Sequence, residues 1–201
     1  MKEIELTPKN KLAALQETID VLERGGVVIY PTETSYGLGG DFFNRQVFDK
    51  IYQIKDRDEN KPLPVIVPDI MTATTLVEFS KDALRLSADH WPGPLTLVLP
   101  YRYCDLDDCY NGYLALRVSS HPFVSGLLAH FGKPLIATSA NIAGEVNCYT
   151  ARDVRRRFLS LKKQPDLFIN AGNLPIRKPS TIIKIDKNNQ MKILRQGDLK
   201  I

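Results

Sequence analysis

Apolar residues recur along the chain with two different periods, one helical and one extended. Between positions 12 and 22, leucine and isoleucine return every three or four residues, which predicts an amphipathic helix. Thr7-Pro8 has the form of a helix cap followed by proline at the first helical position, and Gly25-Gly26 ends the helix. Residues 27–30 form a continuous apolar run that is typical of a short buried strand.

The remaining pattern predicts helices and strands that alternate to the end of the chain. The predicted helices cover about residues 44–54, 69–90 (two helices), 122–131 and 150–161, and the predicted strands cover about 63–67, 95–99, 113–118, 135–137, 167–170, 181–185 and 191–194. This order predicts an α/β or α+β fold with helices layered around one sheet. The sheet should be mixed, because some connections are too short for a helical crossover while others hold one. No linker or internal repeat divides the chain, so we expect a single domain over residues 1–201.

The composition is that of a globular protein. The chain is 43% apolar, 8% aromatic and 25% charged, which excludes disordered, collagenous and coiled-coil classes. No run of roughly 18 apolar residues could span a bilayer, and the N-terminus lacks the apolar core of a signal peptide. We therefore expect a soluble, cytoplasmic protein without membrane contact. Cys104, Cys109 and Cys148 form no CxxC pair, so neither a disulfide framework nor a cysteine zinc site is indicated.

Charge is distributed unevenly along the chain, although the net charge is only +4. Residues 1–150 carry 14 Lys and Arg against 19 Asp and Glu, whereas residues 151–201 carry 13 against 4. Such asymmetry predicts a surface that meets anions, for example nucleotide phosphates or nucleic acid. The arginine run 155–157, taken alone, is more typical of a solvent-exposed helix face.

Common catalytic and nucleotide-binding motifs are missing from the sequence. Ser139 is not in a GxSxG elbow, and the glycines at 37–40 do not form GxGxxG. No GxxxxGK[ST] loop occurs either. His90, His121 and His130 have no neighbours at metal-ligand spacing, so we expect no metal site built from protein residues. A nucleotide would have to be bound by other means.

Two segments place hydroxyl groups directly after predicted strands. In residues 30–39, Thr32 and Thr34 follow a strand that ends in proline, where they could bond a small polar ligand. Near residue 140, Ser139 and Asn141 project to the same side if the chain is extended there. Taken separately, such residues are equally typical of turn caps.

Basic residues cluster at the end of the second predicted helix. In an extended stretch Lys55 and Arg57 would project to one side and could bind one anion together, with Lys61 close behind. Arg117 lies within an apolar strand and therefore needs either an internal salt bridge or a ligand carboxylate. Alternating charge around residue 57 is also what a solvated turn looks like.

Taken together, these segments resemble the YrdC-type threonylcarbamoyl-AMP synthase family, in its short, single-domain bacterial form. The resemblance runs from about residue 25 to 197 and includes the blocks YPTETSYGLG, WPGPLTLVLP, ALRV, SSHP, GKPLIATSANIAGE, PSTII and ILRQG. The Lys-x-Arg and distant Ser-x-Asn signature of that family is met by Lys55, Arg57, Ser139 and Asn141. The sequence departs from the family at Asp58, where proline is usual, and at Ile66, where a threonine-binding histidine is frequent.

The resemblance implies a YrdC-like fold, a twisted mixed sheet with a concave electropositive cavity, and a nucleotidyltransferase activity. It implies that L-threonine, bicarbonate and ATP, with Mg²⁺, give threonylcarbamoyl-AMP and diphosphate. A downstream tRNA threonylcarbamoyl transferase complex would then use the adenylate to make threonylcarbamoyladenosine in tRNA. The chain also ends soon after Arg195, so we expect no additional C-terminal domain.

The same resemblance implies roles for individual residues. The residues implied in catalysis are Lys55, Arg57, Ser139 and Asn141. The residues implied in threonine binding are Thr34, Arg117, Ser139 and Ser180. The residues implied in ATP binding are Lys55, Arg57, Lys61, Asn141, Tyr149 and Arg195.

Two other functions remain open at this stage. A YrdC-like module could use its basic cavity to bind RNA or tRNA weakly, without making an adenylate; the basic residues after position 150 favour this modestly. A related enzyme could instead carbamoylate a different acceptor. Threonine-dependent turnover would separate the synthase from both.

Overall fold

The computed structural model describes residues 1–103 and 112–201, and within them the chain forms six helices and eleven strands. Cys104 and Cys109 lie outside the described residues, and Cys148 is a buried free thiol. The helices are α1 (Lys11–Glu23), α2 (Arg45–Lys55), α3 (Ile70–Leu76), α4 (Lys81–His90), α5 (Pro122–Phe131) and α6 (Ala151–Phe158). The strands are β1 (Lys2–Glu5), β2 (Val28–Pro31), β3 (Tyr36–Gly39), β4 (Val65–Ile66), β5 (Leu95–Pro100), β6 (Tyr113–Arg117), β7 (Leu135–Ile136), β8 (Thr138–Ser139), β9 (Leu167–Asn170), β10 (Thr181–Ile185) and β11 (Met191–Arg195).

The strands form two mixed sheets. The first sheet has the order β1-β9-β2-β3-β8, and the second has the order β11-β10-β5-β6-β4-β7. Strand β2 is parallel to β9 and antiparallel to β3, and β5 is parallel to β10 and antiparallel to β6. The predicted mixed α/β class is confirmed, whereas the expectation of one sheet is wrong. The error arises because the sequence pattern does not specify which distant strands pair with each other; β1, β3 and β8 of the first sheet were also not predicted.

The first helix begins later than the sequence predicts. Thr7-Pro8 was expected to cap it, but Asn10 is the residue before α1. The Asn10 Oδ1 atom accepts hydrogen bonds from the backbone N–H of Thr7 at 2.8 Å and from its hydroxyl at 3.0 Å. The polar groups of Thr7 are therefore used to close a turn before the helix, and the prediction of a Thr7 cap is wrong.

Helices α1 and α5 cover one face of the first sheet. Leu15 and Leu22 of α1 and Leu127 of α5 pack in one cluster with Val28 and Tyr30 of β2. Because β2 is packed against α1 and α5, the loop that follows it, residues 32–35, has a fixed position at the end of the sheet. The longest of the helices, α1, has 13 residues, and no helix in the described ranges is long and apolar enough to cross a membrane.

Alternation along β5 separates the core from a cavity. Leu95, Leu97 and Leu99 are buried in the main hydrophobic core, whereas Thr96 and Val98 face the opposite side. Strands β6 and β10 alternate in the same way, so the second sheet has one apolar core face and one mixed face. We call this mixed face the cavity floor.

Candidate functional site

A cavity of about 740 Å³ lies between the cavity floor and the loops that follow β2 and α2. This volume is typical of a small-molecule site. The charged side chains in its lining are Arg57, Lys61, Arg117, Lys184, Lys192 and Arg195. No Asp or Glu of residues 1–103 or 112–201 belongs to the lining, so the cavity attracts anions.

Seven predicted site residues line this cavity: Thr34, Arg57, Lys61, Arg117, Ser139, Ser180 and Arg195. Six separate pieces of the chain therefore meet at one cavity. Lys55, Asn141 and Tyr149 do not belong to the lining, and each has other partners. Their contact with ATP stays a prediction.

The two threonines after β2 are arranged so that one of them can accept a hydrogen bond from a ligand. The Thr32 hydroxyl donates to the Ser35 carbonyl at 2.6 Å. The Thr32 and Thr34 hydroxyl oxygens are 3.1 Å apart. Because the one hydroxyl proton of Thr32 is already used, Thr34 is the donor in this contact. The lone pairs of Thr34 then remain for an N–H or O–H group in the cavity.

Ser180 has the opposite polarity. Arg195 Nη2 donates to the Ser180 hydroxyl at 3.0 Å, and Arg195 Nε donates to the Ser180 carbonyl at 2.9 Å. The Ser180 and Thr96 hydroxyls are 2.8 Å apart. Of the two hydroxyl protons, one is used between them, so the pair presents a single O–H donor to the cavity. It therefore suits a ligand oxygen, such as one of a carboxylate or carbamate.

Thr96 was not among the predicted site residues. It stands in WPGPLTLVLP, one of the blocks on which the resemblance to the family rests, and no role was implied for it. The available signal was a single hydroxyl residue within the apolar strand 95–99. Its significance depends on its position opposite β10, which the sequence pattern does not specify.

Arg117 forms an internal ion pair as well as lining the cavity. Arg117 Nη1 is 2.6 Å from Glu33 Oε1, and both side chains are 11% exposed. The Ser119 hydroxyl donates to the other Glu33 oxygen at 2.5 Å. Glu33 thus fixes the direction of the guanidinium, which still has further N–H groups for a ligand. The sequence left open whether Arg117 pairs with an internal carboxylate or with a ligand, and the structure shows the internal salt bridge. Glu33 was not predicted as its partner.

Lys55 is turned inward instead of toward an anion. It is the last residue of α2, and Asp56 follows in the left-handed region with φ 47°. Lys55 therefore does not lie in an extended stretch, and that part of the prediction is wrong; its binding of an anion together with Arg57 stays a prediction. The Lys55 ammonium donates to the carbonyls of Ser139 and Asn141 at 2.6 and 2.8 Å and to Asn141 Oδ1 at 2.8 Å.

Asn141 and Tyr149 are likewise used within the protein. Asn141 Oδ1 also accepts from the Ser139 hydroxyl at 2.7 Å, and Asn141 Nδ2 donates to the Glu145 carbonyl at 2.6 Å. Tyr149 donates its hydroxyl to the Arg177 carbonyl at 2.9 Å. Lys55 and Asn141 together hold the Ser139 backbone and side chain, which makes them positioning residues in this geometry.

Arg57, in contrast, extends along the wall of the cavity. Its Nε donates to the Lys61 carbonyl at 3.3 Å and its Nη2 donates to the Pro62 carbonyl at 3.1 Å. These two bonds orient the planar guanidinium while other N–H groups remain available. A guanidinium that is held in one orientation is suited to binding phosphate oxygens.

The buried Lys55 should make stability depend on pH. Burial, and after it repulsion by Arg57, lowers the pKa of Lys55 from its ordinary value of 10.5 to about 7. Between these two pH values the unfolded chain binds more protons here than the folded chain, so the contribution of Lys55 to the free energy of unfolding rises with pH. We expect the stability difference between wild type and Lys55→Met, measured by urea unfolding, to grow from pH 7 to 9.5. A stability difference between the two proteins that stays constant from pH 7 to 9.5 would contradict this.

Comparison with known proteins places the chain among relatives of related shape and sequence. A model of the Sua5/YciO/YrdC family, described as telomere recombination, matches residues 20–197. A threonylcarbamoyl-AMP synthase of Vibrio vulnificus (strain YJ016) is 38% identical over 146 residues, which cover 70% of this chain and 78% of that protein.

Solved structures show the same similarity at the level of the fold. P. abyssi Sua5 complexed with L-threonine is 26% identical with a TM-score of 0.84, and the match covers 98% of this chain and 57% of Sua5. E. coli YciO is 24% identical, also with a TM-score of 0.84, and covers 99% of this chain and 96% of its own. The chain therefore spans a little over half of the length of Sua5.

Proposed function

Because the chain belongs to the Sua5/YciO/YrdC family, we propose that it is a threonylcarbamoyl-AMP synthase, a nucleotidyltransferase that acts on L-threonine, bicarbonate and ATP. The observation that carries this proposal is the convergence of Arg117, Thr34 and Ser180 with Arg57 and a set of further cations in one cavity. The relative from V. vulnificus bears that enzyme name, and P. abyssi Sua5 was solved with L-threonine. Both support the proposal for this chain.

The hydrogen-bonding polarity of the cavity is suited to a threonine carbamate, which threonine and bicarbonate form with release of water. The remaining N–H groups of Arg117 can bind the carboxylate, and the Thr34 oxygen can accept from the amide-like N–H or the hydroxyl. The single O–H donor of the Ser180–Thr96 pair can bind a carboxylate or carbamate oxygen. The hydrogen-bond acceptors of the ligand thus meet donors in the cavity, and its donors meet an acceptor.

Adenylyl transfer requires positioning and cations more than a protein nucleophile. A carbamate oxygen attacks the α-phosphorus of ATP, the bond from that phosphorus to the β-phosphate bridging oxygen breaks, and diphosphate leaves. Negative charge gathers on the phosphoryl oxygens during this step, and fixed cations stabilise it. We assign this stabilising role to Arg57 and Lys61. We assign Arg195 to binding of the nucleotide. Lys55 and Asn141 act by holding Ser139 at the cavity wall.

Magnesium would be brought by ATP and not by a protein site. Mg²⁺ is commonly bound by one or two carboxylates together with substrate phosphates. In the described part of the chain no group of three His, Cys, Asp or Glu side chains could hold a metal ion, and the lining contains no carboxylate. The donor set therefore does not fit a resident metal, and we derive no step from one.

The product would be passed on to a tRNA threonylcarbamoyl transferase complex, in the cytoplasm where ATP and tRNA are available. The adenylate is a mixed anhydride of a carbamate and a phosphate, so a separate acceptor must consume it. We assign this acceptor to tRNA, which would put the chain one step before a group transfer. Direct contact of this chain with tRNA is not needed for the proposal.

The proposal is tested by measuring diphosphate release from ATP and bicarbonate with each amino acid in turn. We expect release with threonine, and a loss of at least about tenfold in Arg57→Ala and Ser139→Ala. Arg152→Ala and Ser160→Ala are matched controls, because both residues are exposed and lie outside the cavity lining.

Turnover that does not depend on threonine would contradict the synthase activity and favour an enzyme that carbamoylates another acceptor. RNA binding without turnover would favour the binding module.

Thr96→Val should specifically weaken threonine binding. The substitution keeps the side-chain volume but removes the hydroxyl that orients Ser180. We expect KM for threonine to rise about five- to tenfold with a smaller change in kcat, as for one neutral hydrogen bond. Thr96→Ser keeps the hydroxyl and should stay within about twofold of wild type. Equal KM values in all three proteins would show that Thr96 has no part in orienting Ser180.

A further inference from the structure

Two lysines stand side by side on the cavity floor at some distance from the proposed threonine site. Lys184 of β10 is directly opposite Lys192 of β11 in the antiparallel register, and both line the cavity. Lys184 lies four residues beyond Ser180, which corresponds to about 13 Å along an extended chain. The proposed function gives neither lysine a role.

The arrangement of these two lysines is costly without an anion. Like charges directly opposite each other on neighbouring strands destabilise a sheet. Neither ammonium has a carboxylate partner within residues 1–103 and 112–201. No ion pair of the described residues therefore offsets the repulsion between Lys184 and Lys192.

Lys184 is nevertheless held in place. Its ammonium lies 3.7 Å from the centroid of the Tyr113 ring, within the range of a cation–π contact. Tyr113 also lines the cavity, on β6. The ring covers one side of the ammonium but does not neutralise its charge, so the remaining N–H groups are available to a ligand.

We propose that Lys184 and Lys192 form a polyphosphate subsite, which binds the terminal phosphates of a nucleoside triphosphate or free diphosphate. Ammonium groups bind phosphate as mobile point charges, and two of them match the adjacent charges of a diphosphate unit. The pair lies on the floor of the same cavity as Arg57 and Ser180, so one extended ligand can reach both ends. The choice of ATP as that ligand rests on the proposed function.

The subsite is tested by equilibrium binding of ATP, AMP and inorganic diphosphate to the full chain. We expect Lys184→Met and Lys192→Met each to weaken ATP and diphosphate about tenfold and AMP less than twofold. Lys184→Arg keeps the charge and should restore most of the affinity. Lys187→Met is the matched control, because Lys187 is exposed in the turn between β10 and β11 and does not line the cavity.

The sources of the anion are separated by the three ligands. Weakened binding of both ATP and free diphosphate supports the subsite in general, and weakened ATP alone supports it for the nucleotide-bound phosphates. Equal losses of affinity for ATP and AMP, or unchanged affinity for both ATP and diphosphate, would overturn it. A reduced salt dependence of RNA binding with unchanged ATP and diphosphate affinity would assign the lysines to RNA instead, and would also overturn it.

Failure of the proposed synthase activity can be distinguished from failure of the phosphate subsite, because the first is measured by diphosphate release and the second by ligand binding. If wild type binds diphosphate through Lys184 and Lys192 but shows no threonine-dependent diphosphate release, the subsite stands and the synthase activity does not. If release depends on threonine but the lysine variants bind ATP and diphosphate like wild type, the reverse holds.

Discussion

Arg117→Met is expected to abolish threonine-dependent diphosphate release and to lower the free energy of unfolding by about 3 kcal/mol. The substitution removes the proposed carboxylate ligand and also leaves the Glu33 carboxylate without its cation. Because both side chains are only 11% exposed, water replaces the guanidinium poorly. Urea unfolding at pH 7 measures the stability, and diphosphate release measures the activity.

A second substitution separates the two effects of Arg117→Met. Adding Glu33→Gln removes the stranded charge while keeping an acceptor for the Ser119 hydroxyl. We expect the double variant to regain most of the lost stability, since replacing both partners of a buried pair is often close to neutral. Its activity should stay lost. Recovery of the wild-type KM for threonine in the double variant would show that Arg117 does not bind the carboxylate.

Lys55→Met is expected to cost about 2–4 kcal/mol of stability and to reduce activity more than tenfold. Lys55 is 1% exposed, and its side-chain nitrogen donates to three oxygens of Ser139 and Asn141. Without it, two carbonyls lose a hydrogen-bond donor, and each unsatisfied buried group costs about 1–3 kcal/mol. The loop that presents Ser139 to the cavity should then lose its position, so kcat is expected to fall.

Lys50→Met provides a matched control for this substitution. Lys50 belongs to the same helix and donates one hydrogen bond, to the Gly25 carbonyl at 2.7 Å, from an exposed position. We expect a loss of less than about 1 kcal/mol and unchanged diphosphate release. If Lys55→Met is as stable as Lys50→Met, the three hydrogen bonds of Lys55 contribute little. If it is destabilised but fully active, Lys55 does not position Ser139.

Strands were predicted well where apolar residues make their own signal. The runs at 95–99, 113–118, 167–170 and 181–185 agree with β5, β6, β9 and β10 within a residue or two. Strand β1 was missed because its burial pattern is almost entirely exposed, and β3 because the sequence YGLG has low strand propensity. Such strands form because neighbouring strands pair with them.

The candidate site shows a similar division. The resemblance to a known family implied an electropositive cavity with Arg57, Arg117, Ser139 and Ser180 in it, and these four residues line one cavity in the structure. The inward turn of Lys55 was not predictable, because it depends on a left-handed Asp56 and on carbonyls 84 and 86 residues away. A local pattern carries no information on such distant partners.

By itself, the sequence determined the class of the fold, most of its helices and strands, and the chemical character of the site. These features follow from short-range periodicity and from the charges and hydroxyl groups that the residues carry. Only the tertiary structure decided that the strands divide into two sheets, that Glu33 pairs with Arg117, and that Thr96 orients Ser180. Each of these depends on contacts between segments far apart in the chain, and burial then favours polar partners that satisfy one another.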